Sequence, residues 1–237
     1  MLHIVESLAF LRLYVLPMQV HHDSRNLFLQ GPVGRLEAIL WTPTRTAAPA
    51  LAAVLCHPHP LFAGTLHNKV IYQTAKSLDS LGIPVLRFNF RGAGLSAGAH
   101  DRGLGERGDV QAAIDFLAGE FQGVPLLVGG FSFGSWVGLR VGCAEARVQE
   151  LIGLGISVND SDFTYLESCD KAKLIVQGTN DEHGAWEKVE QVVSRMKGDT
   201  RLTFIQNADH FFVGLLDQVD KAITDWLTER HPTLRKL

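Results

Sequence analysis

The sequence predicts an α/β fold, in which helices cover both faces of a mostly parallel sheet. Short, continuous apolar runs alternate with amphipathic helical patterns along most of the 237 residues. Such continuous runs are typical of parallel strands buried on both faces. The composition, 46% apolar and 20% charged residues, fits a globular protein and excludes a disordered chain, a collagen and a coiled coil.

The length fits one domain. A chain of 237 residues can bury a large core, and no segment is long enough for a second unit, so residues 18–237 are predicted to form a single domain. Residues 1–17 are predicted to be an N-terminal extension that either packs on the domain or frays. Glu6 and Arg12 interrupt its apolar run, which argues against a secretory signal peptide, and a start at Met18 is the alternative.

Charge, hydropathy and cysteine usage limit the partners and the compartment. Lys and Arg total 22 and Asp and Glu total 25, a formal charge of −3, so we expect no nucleic-acid partner. No uninterrupted apolar run reaches the roughly 18 residues of a transmembrane helix, so we expect no membrane partner. Cys56, Cys143 and Cys169 are too few for a disulfide scaffold and fit buried thiols in the cytoplasm. The oligomeric state stays open between monomer and homodimer.

The predicted elements begin with a hairpin. Residues 26–30 and 35–41 are strand-like on either side of a Gly-Pro-Val-Gly turn, which predicts an antiparallel hairpin at one edge of the sheet. Apolar runs predict six further strands, at residues 50–56, 84–90, 124–128, 151–156, 174–176 and 202–205. Helical periodicity predicts five helices, at residues 69–81, 106–117, 132–141, 186–196 and 213–228. Ligands of such a sheet bind at the carboxyl ends of the strands, so the loops there are the place to look for chemistry.

The loop after the strand predicted at residues 124–128 carries the first functional signal. Gly130, Ser132 and Gly134 form a G-x-S-x-G motif between a predicted strand and a predicted helix. In that context the serine sits on a sharp, strained turn with its hydroxyl clear of the sheet, and the glycines let the strand and helix approach each other. The motif predicts Ser132 as a nucleophile. The alternative is a glycine-rich turn with an incidental serine.

A nucleophilic serine needs a base, and the base needs an acid that orients it, in the chain order Ser, Asp or Glu, His. Asp181 follows the predicted strand at 174–176 and is the predicted acid. Glu182 is the second candidate, and a turn or helix-capping role is the alternative for Asp181. His210 follows the predicted strand at 202–205 and is the predicted base, because it fits both the order and the strand-end position.

Acyl transfer also needs two N–H donors for the developing oxyanion. One is predicted to be the amide of Phe133, directly after the serine. The other is predicted to come from the loop at residues 57–64. The two prolines of that loop have no N–H, so the candidates are His59 and Leu61, with Phe62 ranked below them.

Two other ligand classes fit the sequence poorly. The three histidines within residues 57–67 suggest a metal site, but apart from Cys56 no Cys, Asp or Glu lies near to complete one. Gly92 and Gly94 suggest a dinucleotide-binding loop, but Ala97 stands where that motif needs its third glycine. We therefore expect no metal and no organic cofactor.

Five motifs occur in one order between residues 20 and 230. They are the segments at 57–64 with 68–70 (H-P-H-P-L-F-A-G and N-K-V), 89–96 (N-F-R-G-A-G-L-S), 130–134 (G-F-S-F-G), 177–182 (Q-G-T-N-D-E) and 209–212 (D-H-F-F). This set resembles the α/β-hydrolase family, in particular its small uncapped branch related to dienelactone hydrolases. Two departures matter. Dienelactone hydrolases use cysteine where Ser132 stands, so their lactone substrate is not implied, and Ala63 replaces a glycine, which bears on the shape of its loop.

The resemblance also implies an open site. Larger relatives insert a lid at the position of residues 157–171, a segment too short here for a helical cap. Phe62, Phe211 and Phe212, together with Phe133, lie beside the predicted chemistry. They predict an apolar substrate pocket for a small acyl group, with simple packing as the alternative.

These inferences predict a carboxylesterase-like serine hydrolase that cleaves ester or thioester bonds of small acyl substrates through an acyl-enzyme. Its predicted partner is a small-molecule ester. Two alternatives remain open: a serine aminopeptidase or acyltransferase that uses the same residues, and a non-catalytic binding protein that keeps the α/β-hydrolase fold.

Overall fold

The computed structural model describes residues 22–44 and 48–236. The strands are β1 (His22–Gly31), β2 (Gly34–Pro43), β3 (Ala52–Cys56), β4 (Val85–Phe88), β5 (Leu126–Phe131), β6 (Val148–Leu154), β7 (Ala172–Gly178) and β8 (Thr200–Ile205). The α-helices are α1 (Lys69–Ser80), α2 (Glu106–Glu120), α3 (Phe133–Ala144), α4 (Trp186–Val193) and α5 (Leu216–Arg230). The predicted N-terminal extension, residues 1–17, lies outside the described residues.

The described strands form one eight-stranded sheet in the order β1-β2-β4-β3-β5-β6-β7-β8. The two pairings that involve β2 are antiparallel and every other pairing is parallel. Every residue of β3, β4, β5 and β7 is buried, which explains why their sequences read as continuous apolar runs. The predicted α/β fold class, with its hairpin at one edge, is confirmed.

Helices cover both faces of the sheet. On one face α1 and α5 pack against each other, and Ile71 and Ile223 belong to the core beneath them. On the other face lie α2, α3 and α4, with Val110, Val137 and Val189 in the second core. Because both faces are closed, the carboxyl edge of the parallel strands is left for the loops that could carry chemistry.

Two element boundaries differ from the predicted ones because the chain turns through left-handed backbone. The strand predicted at residues 151–156 ends earlier, since Gly155 has φ +49° and leaves the sheet. The helix predicted from residue 213 begins at Leu216, since Phe212 and Gly214 have φ +53° and +74°. A hydropathy pattern does not register such turns.

The segment between β6 and β7, residues 155–171, contains a single short 3₁₀ helix, Thr164–Ser168. No helical cap is inserted there, as predicted. Within residues 22–44 and 48–236, none of the helices combines the length and the apolar character needed to cross a bilayer.

The cysteines correct the prediction of three free thiols. Cys143, in the last turn of α3, and Cys169, ahead of β7, form a disulfide, and Cys56 is the free cysteine of the described chain. Twenty-six positions separate the two bonded residues, and the packing of α3 beside the 3₁₀ helix brings them together. Since three cysteines leave the pairing open, the sequence could not reveal the bond. The cysteine count therefore no longer supports a reducing compartment.

Candidate active site

Ser132 occupies the turn between β5 and α3, at the carboxyl edge of the sheet. Its backbone angles, φ 55° and ψ −121°, are strained for a residue with a side chain. A Cβ at Gly130 would lie 2.4 Å from the carbonyl carbon of Gly134, and a Cβ at Gly134 would lie 2.1 Å from the carbonyl oxygen of Cys56. The two glycines of the motif are therefore required by close backbone contacts, and they hold the serine at the edge of the sheet.

The structure brings the side chains of Ser132, His210 and Asp181 into one chain of hydrogen bonds. His210 Nε2 lies 2.9 Å from Ser132 Oγ, and His210 Nδ1 lies 2.8 Å from Asp181 Oδ2. His210 and Asp181 are only 3% and 4% exposed, so water does not compete for the bond between them, while the bond to Ser132 faces the cavity. Because a carboxylate only accepts, Nδ1 carries the proton, and Nε2 presents a lone pair to the serine hydroxyl.

Asp181, and not the second candidate Glu182, supplies this carboxylate. Its Oδ1 accepts hydrogen bonds from the backbone N–H groups of His183, at 2.8 Å, and Gly184, at 3.2 Å. Its Oδ2 accepts a further bond from Gln177 Nε2, at 2.8 Å. The Glu182 side chain is exposed. Four donors therefore fix both oxygens of Asp181 in one orientation.

Gln177 is a site residue that the sequence reasoning missed. It is fully buried at the end of β7, where its Oε1 accepts from the Ile156 N–H at 2.8 Å. Its Nε2 also donates to the Gly184 carbonyl at 3.0 Å. These bonds point the amide nitrogen at Asp181. The available signal was a glutamine at the end of an otherwise apolar, buried strand.

In the loop after β3, one of the N–H groups predicted to bind the oxyanion already has another acceptor. The Leu61 N–H donates to His59 Nδ1 at 3.2 Å, and the Phe62 N–H donates to the His59 carbonyl at 3.0 Å. The prediction for Leu61 is wrong because Pro60 starts a 3₁₀ turn, which the His59 side chain caps. The N–H groups of His59 and Phe133 have no acceptor among the described residues, so both are free to face a ligand.

His57 anchors the start of this loop to the neighbouring strand end. Its Nδ1 lies 2.6 Å from the Pro58 carbonyl oxygen and donates to it, and its Nε2 accepts from the Phe90 N–H at 3.0 Å. Burial lowers the pKa of His57 to about 4. The neutral ring therefore connects the loop after β3 to the segment that follows β4.

This burial predicts acid sensitivity of the fold. The pKa of His57 is about 4 when folded, against an ordinary value of 6.5, so the unfolded chain binds more protons between these pH values. The free energy of unfolding should therefore fall as the pH drops through this window, by up to about 3 kcal/mol. Urea unfolding from pH 7 to 4 should show this slope in the wild type and in the variant of an exposed histidine, His67→Gln, and a clearly smaller slope in His57→Gln, where burial of His59 still contributes. An equal slope in His57→Gln would contradict the assignment.

A cavity of about 430 Å³ opens beside Ser132. Phe62, Phe133 and Phe211 line it, and Phe62 and Phe211 are 83% and 51% exposed. Phe212, which was predicted for this pocket, is fully buried in the core and does not line it. The left-handed turn at Phe212 separates the two adjacent phenylalanines: one ring faces the cavity and the other packs inward.

The other histidines and the free thiol near the site have different surroundings from those of Ser132. The part of the chain that the structure describes holds no group of three or more His, Cys, Asp and Glu side chains placed to bind a metal ion. Both ring nitrogens of His57 are occupied by backbone groups. Cys56 is wholly buried and burial raises the pKa of its thiol, so it stays protonated and is not a nucleophile.

Comparison with known proteins identifies the family of this chain. Residues 53–222 match the family model of the alpha/beta hydrolase domain. An uncharacterized protein of Rickettsia prowazekii (strain Madrid E) is 35% identical over 210 residues, which cover 85% of this chain and 87% of the relative.

Two solved structures are similar over almost their whole length. An alpha-beta serine hydrolase homologue from Coxiella burnetii is 34% identical, with a TM-score of 0.81, and the match covers 86% of this chain and 97% of the other. A serine hydrolase without lid from Xanthomonas campestris is 31% identical, with a TM-score of 0.83, and the match covers 90% and 97%. The chain therefore belongs to the α/β-hydrolase family, among the serine hydrolases that lack a lid.

Proposed function

We propose that this protein hydrolyses carboxylic esters or thioesters of small acyl groups through an acyl-enzyme on Ser132. The observation that carries the proposal is the hydrogen-bond chain from Asp181 through His210 to Ser132 Oγ, which ends in an open cavity partly lined by aromatic rings. Serine, histidine and carboxylate in this order form the arrangement that activates a hydroxyl for acyl transfer.

In the first half of the reaction, His210 Nε2 removes the proton from Ser132 as Oγ attacks the carbonyl carbon. The carbonyl π electrons move to oxygen, and the free N–H groups of His59 and Phe133 stabilise the oxyanion. His210 then donates its proton to the oxygen or sulfur of the leaving group as that bond breaks. The alcohol or thiol departs and the acyl group stays on Ser132.

In the second half, water repeats the attack. His210 Nε2 takes a proton from the water as its oxygen adds to the acyl carbon, and the same two N–H groups stabilise the second oxyanion. The proton returns to Oγ as the acyl bond to Ser132 breaks, which releases the carboxylic acid. Asp181 holds the imidazole in the Nδ1–H tautomer throughout and stabilises the imidazolium that forms twice.

The substrate class follows from the walls of the cavity. Exposed aromatic rings at the mouth favour an apolar acyl group, and residues 155–171 do not cover the entrance with a helical cap. A volume of about 430 Å³ fits a small ester and lies near the lower end of ligand pockets. Short acyl chains are therefore the preferred substrates.

A series of p-nitrophenyl esters from acetate to dodecanoate tests this function. We expect the highest kcat/KM among the short chains, up to about hexanoate, and a decline for longer chains, because carbons beyond the cavity remain in water. An aminoacyl p-nitroanilide measured in parallel should be turned over much more slowly.

Two results would contradict the proposal. Faster turnover of the anilide than of any ester would favour the aminopeptidase. If a folded sample hydrolysed none of the esters in the series, a non-catalytic binding protein would be favoured.

A further inference from the structure

The cavity beside Ser132 has two chemically different walls. One, the aromatic wall, consists of His59, Phe62 and Phe133, and the His59 ring contacts each of the two phenylalanine rings at a centroid distance of 4.9 Å. The other, the polar wall, comes from the loops after β6 and β7. It consists of Ser157, Asp160, Ser161 and His183. The proposed chemistry uses none of these four side chains.

Hydrogen bonds connect His183 to both loops of the polar wall. Its backbone N–H donates to Asp181, and its carbonyl accepts from the Asn159 N–H at 3.0 Å. Its ring Nδ1 lies 2.8 Å from Asp160 Oδ2. The Asn159 side chain adds a bond to the Glu182 carbonyl at 2.9 Å. The loop that would carry a lid in larger relatives is thus tied to the loop that carries the acid.

The polar wall lies where the leaving group must pass. His210 Nε2 donates the proton to the leaving group, so that group lies on the His210 side of the cavity. The His183 ring contacts the His210 ring at a centroid distance of 4.6 Å. The oxyanion, in contrast, faces the amides of His59 and Phe133, whose own rings form the aromatic wall. The leaving group therefore lies against the polar wall and beside the Phe211 ring, which contacts the His210 ring at a centroid distance of 5.2 Å, and away from the aromatic wall.

The charge of the polar wall limits which leaving group it accepts. The Asp160 side chain is 57% exposed and the His183 side chain 46%, so both can reach a ligand. Within the described part of the chain, no lysine or arginine lines the cavity. A phosphate-bearing leaving group, such as a nucleotide thiol, would meet a carboxylate and no matching cation. A hydroxyl group can both donate to Asp160 and bond to the serine hydroxyls.

We propose that the polar wall is a leaving-group subsite that selects esters of polyhydric alcohols, with hydroxyls of the alcohol bound by Asp160 and His183. This inference rests on the proposed ester hydrolysis and narrows it to one substrate class.

The test compares 1-glyceryl butyrate with propyl butyrate, which share the acyl group and the three-carbon leaving group and differ in two hydroxyls. Rates are expressed per Ser132 that reacts with a fluorophosphonate probe, so that misfolded protein does not count. For the wild type we expect kcat/KM for the glyceryl ester to exceed that for the propyl ester by about tenfold, the effect of one hydrogen bond to a charged group.

Two variants remove the subsite. His183→Phe keeps an aromatic ring against His210 but loses the ring nitrogens, and Asp160→Ala removes the exposed carboxylate. In both, the ratio should fall towards one, mainly through a higher KM for the glyceryl ester. Glu182→Gln is the matched control: it removes one negative charge close to His183, on a side chain that does not line the cavity, and should keep the wild-type ratio.

The outcomes separate the two proposals. A wild-type ratio near or below one, or a ratio that survives in both variants, overturns the subsite. Probe labelling of the wild type without hydrolysis of either butyrate also overturns it, while Ser132 stays the nucleophile. Absence of labelling in the wild type overturns the proposed hydrolysis itself.

Discussion

Ser132→Ala is expected to abolish labelling by a fluorophosphonate and to lower kcat for p-nitrophenyl butyrate by roughly four to six orders of magnitude. The reason is that Oγ is the atom to which the acyl group is transferred. Ser132 Oγ is the hydroxyl that lies 2.9 Å from His210 Nε2. Alanine has the same Cβ as serine, so it meets the same backbone strain at φ 55° and should leave the fold intact.

Intact-protein mass spectrometry measures the labelling, and thermal unfolding checks the fold. Ser161→Ala is the control, because Ser161 also lines the cavity but lies outside the hydrogen-bond chain. It should still carry the adduct on Ser132. Full labelling of Ser132→Ala would show that another residue is the nucleophile and would remove the basis of the proposed reaction.

The sheet and the placement of its loops are predictable because local patterns mark them. Buried strands such as Leu126–Phe131 are continuous apolar runs, and the carboxyl ends of parallel strands share one edge. Residues as far apart in sequence as Ser132 and His210, 78 positions, were therefore expected in neighbouring loops. The order of these residues along the chain and their positions after predicted strands can both be read from the sequence, and the folded protein keeps both.

Local sequence patterns do not predict which way an individual N–H group or side chain points, or which residue it contacts. Whether the Leu61 amide faces a ligand or His59 depends on a few backbone angles in a turn with two prolines. The pairing of Cys143 with Cys169 depends on how α3 packs against the chain before β7. Likewise, the polar wall arises because two loops meet, and neither loop is distinctive by itself. Such contacts are set by tertiary packing, which periodicity does not encode.

Asp181→Asn is expected to lower kcat by about ten-thousand-fold although it replaces a single atom, because it imposes the wrong tautomer on the base. Oδ1 of Asp181 accepts two backbone N–H groups, so the asparagine oxygen must stay at that position. The new NH₂ group then takes the place of Oδ2 and faces His210 Nδ1 and Gln177 Nε2.

The consequence for His210 follows from hydrogen-bond polarity. Facing an N–H donor, His210 Nδ1 must accept, so its proton moves to Nε2. Nε2 then donates to Ser132 Oγ instead of removing its proton, and attack on the carbonyl loses its base. Gln177 cannot rotate to relieve the N–H to N–H contact, since its Oε1 is held by the Ile156 amide and its Nε2 by the Gly184 carbonyl.

Asp209→Asn provides the matched control, because it makes the same change of charge on the residue directly before His210. Asp209 Oδ1 accepts from the N–H groups of Phe211 and Val213, and an asparagine oxygen can keep both bonds. Its kcat for p-nitrophenyl butyrate should stay within about threefold of the wild type, the effect of a surface substitution. If Asp181→Asn behaved like this control, orientation of the imidazole by Asp181 would not contribute to catalysis. A large loss of kcat in both variants would instead assign the effect to net charge at the site.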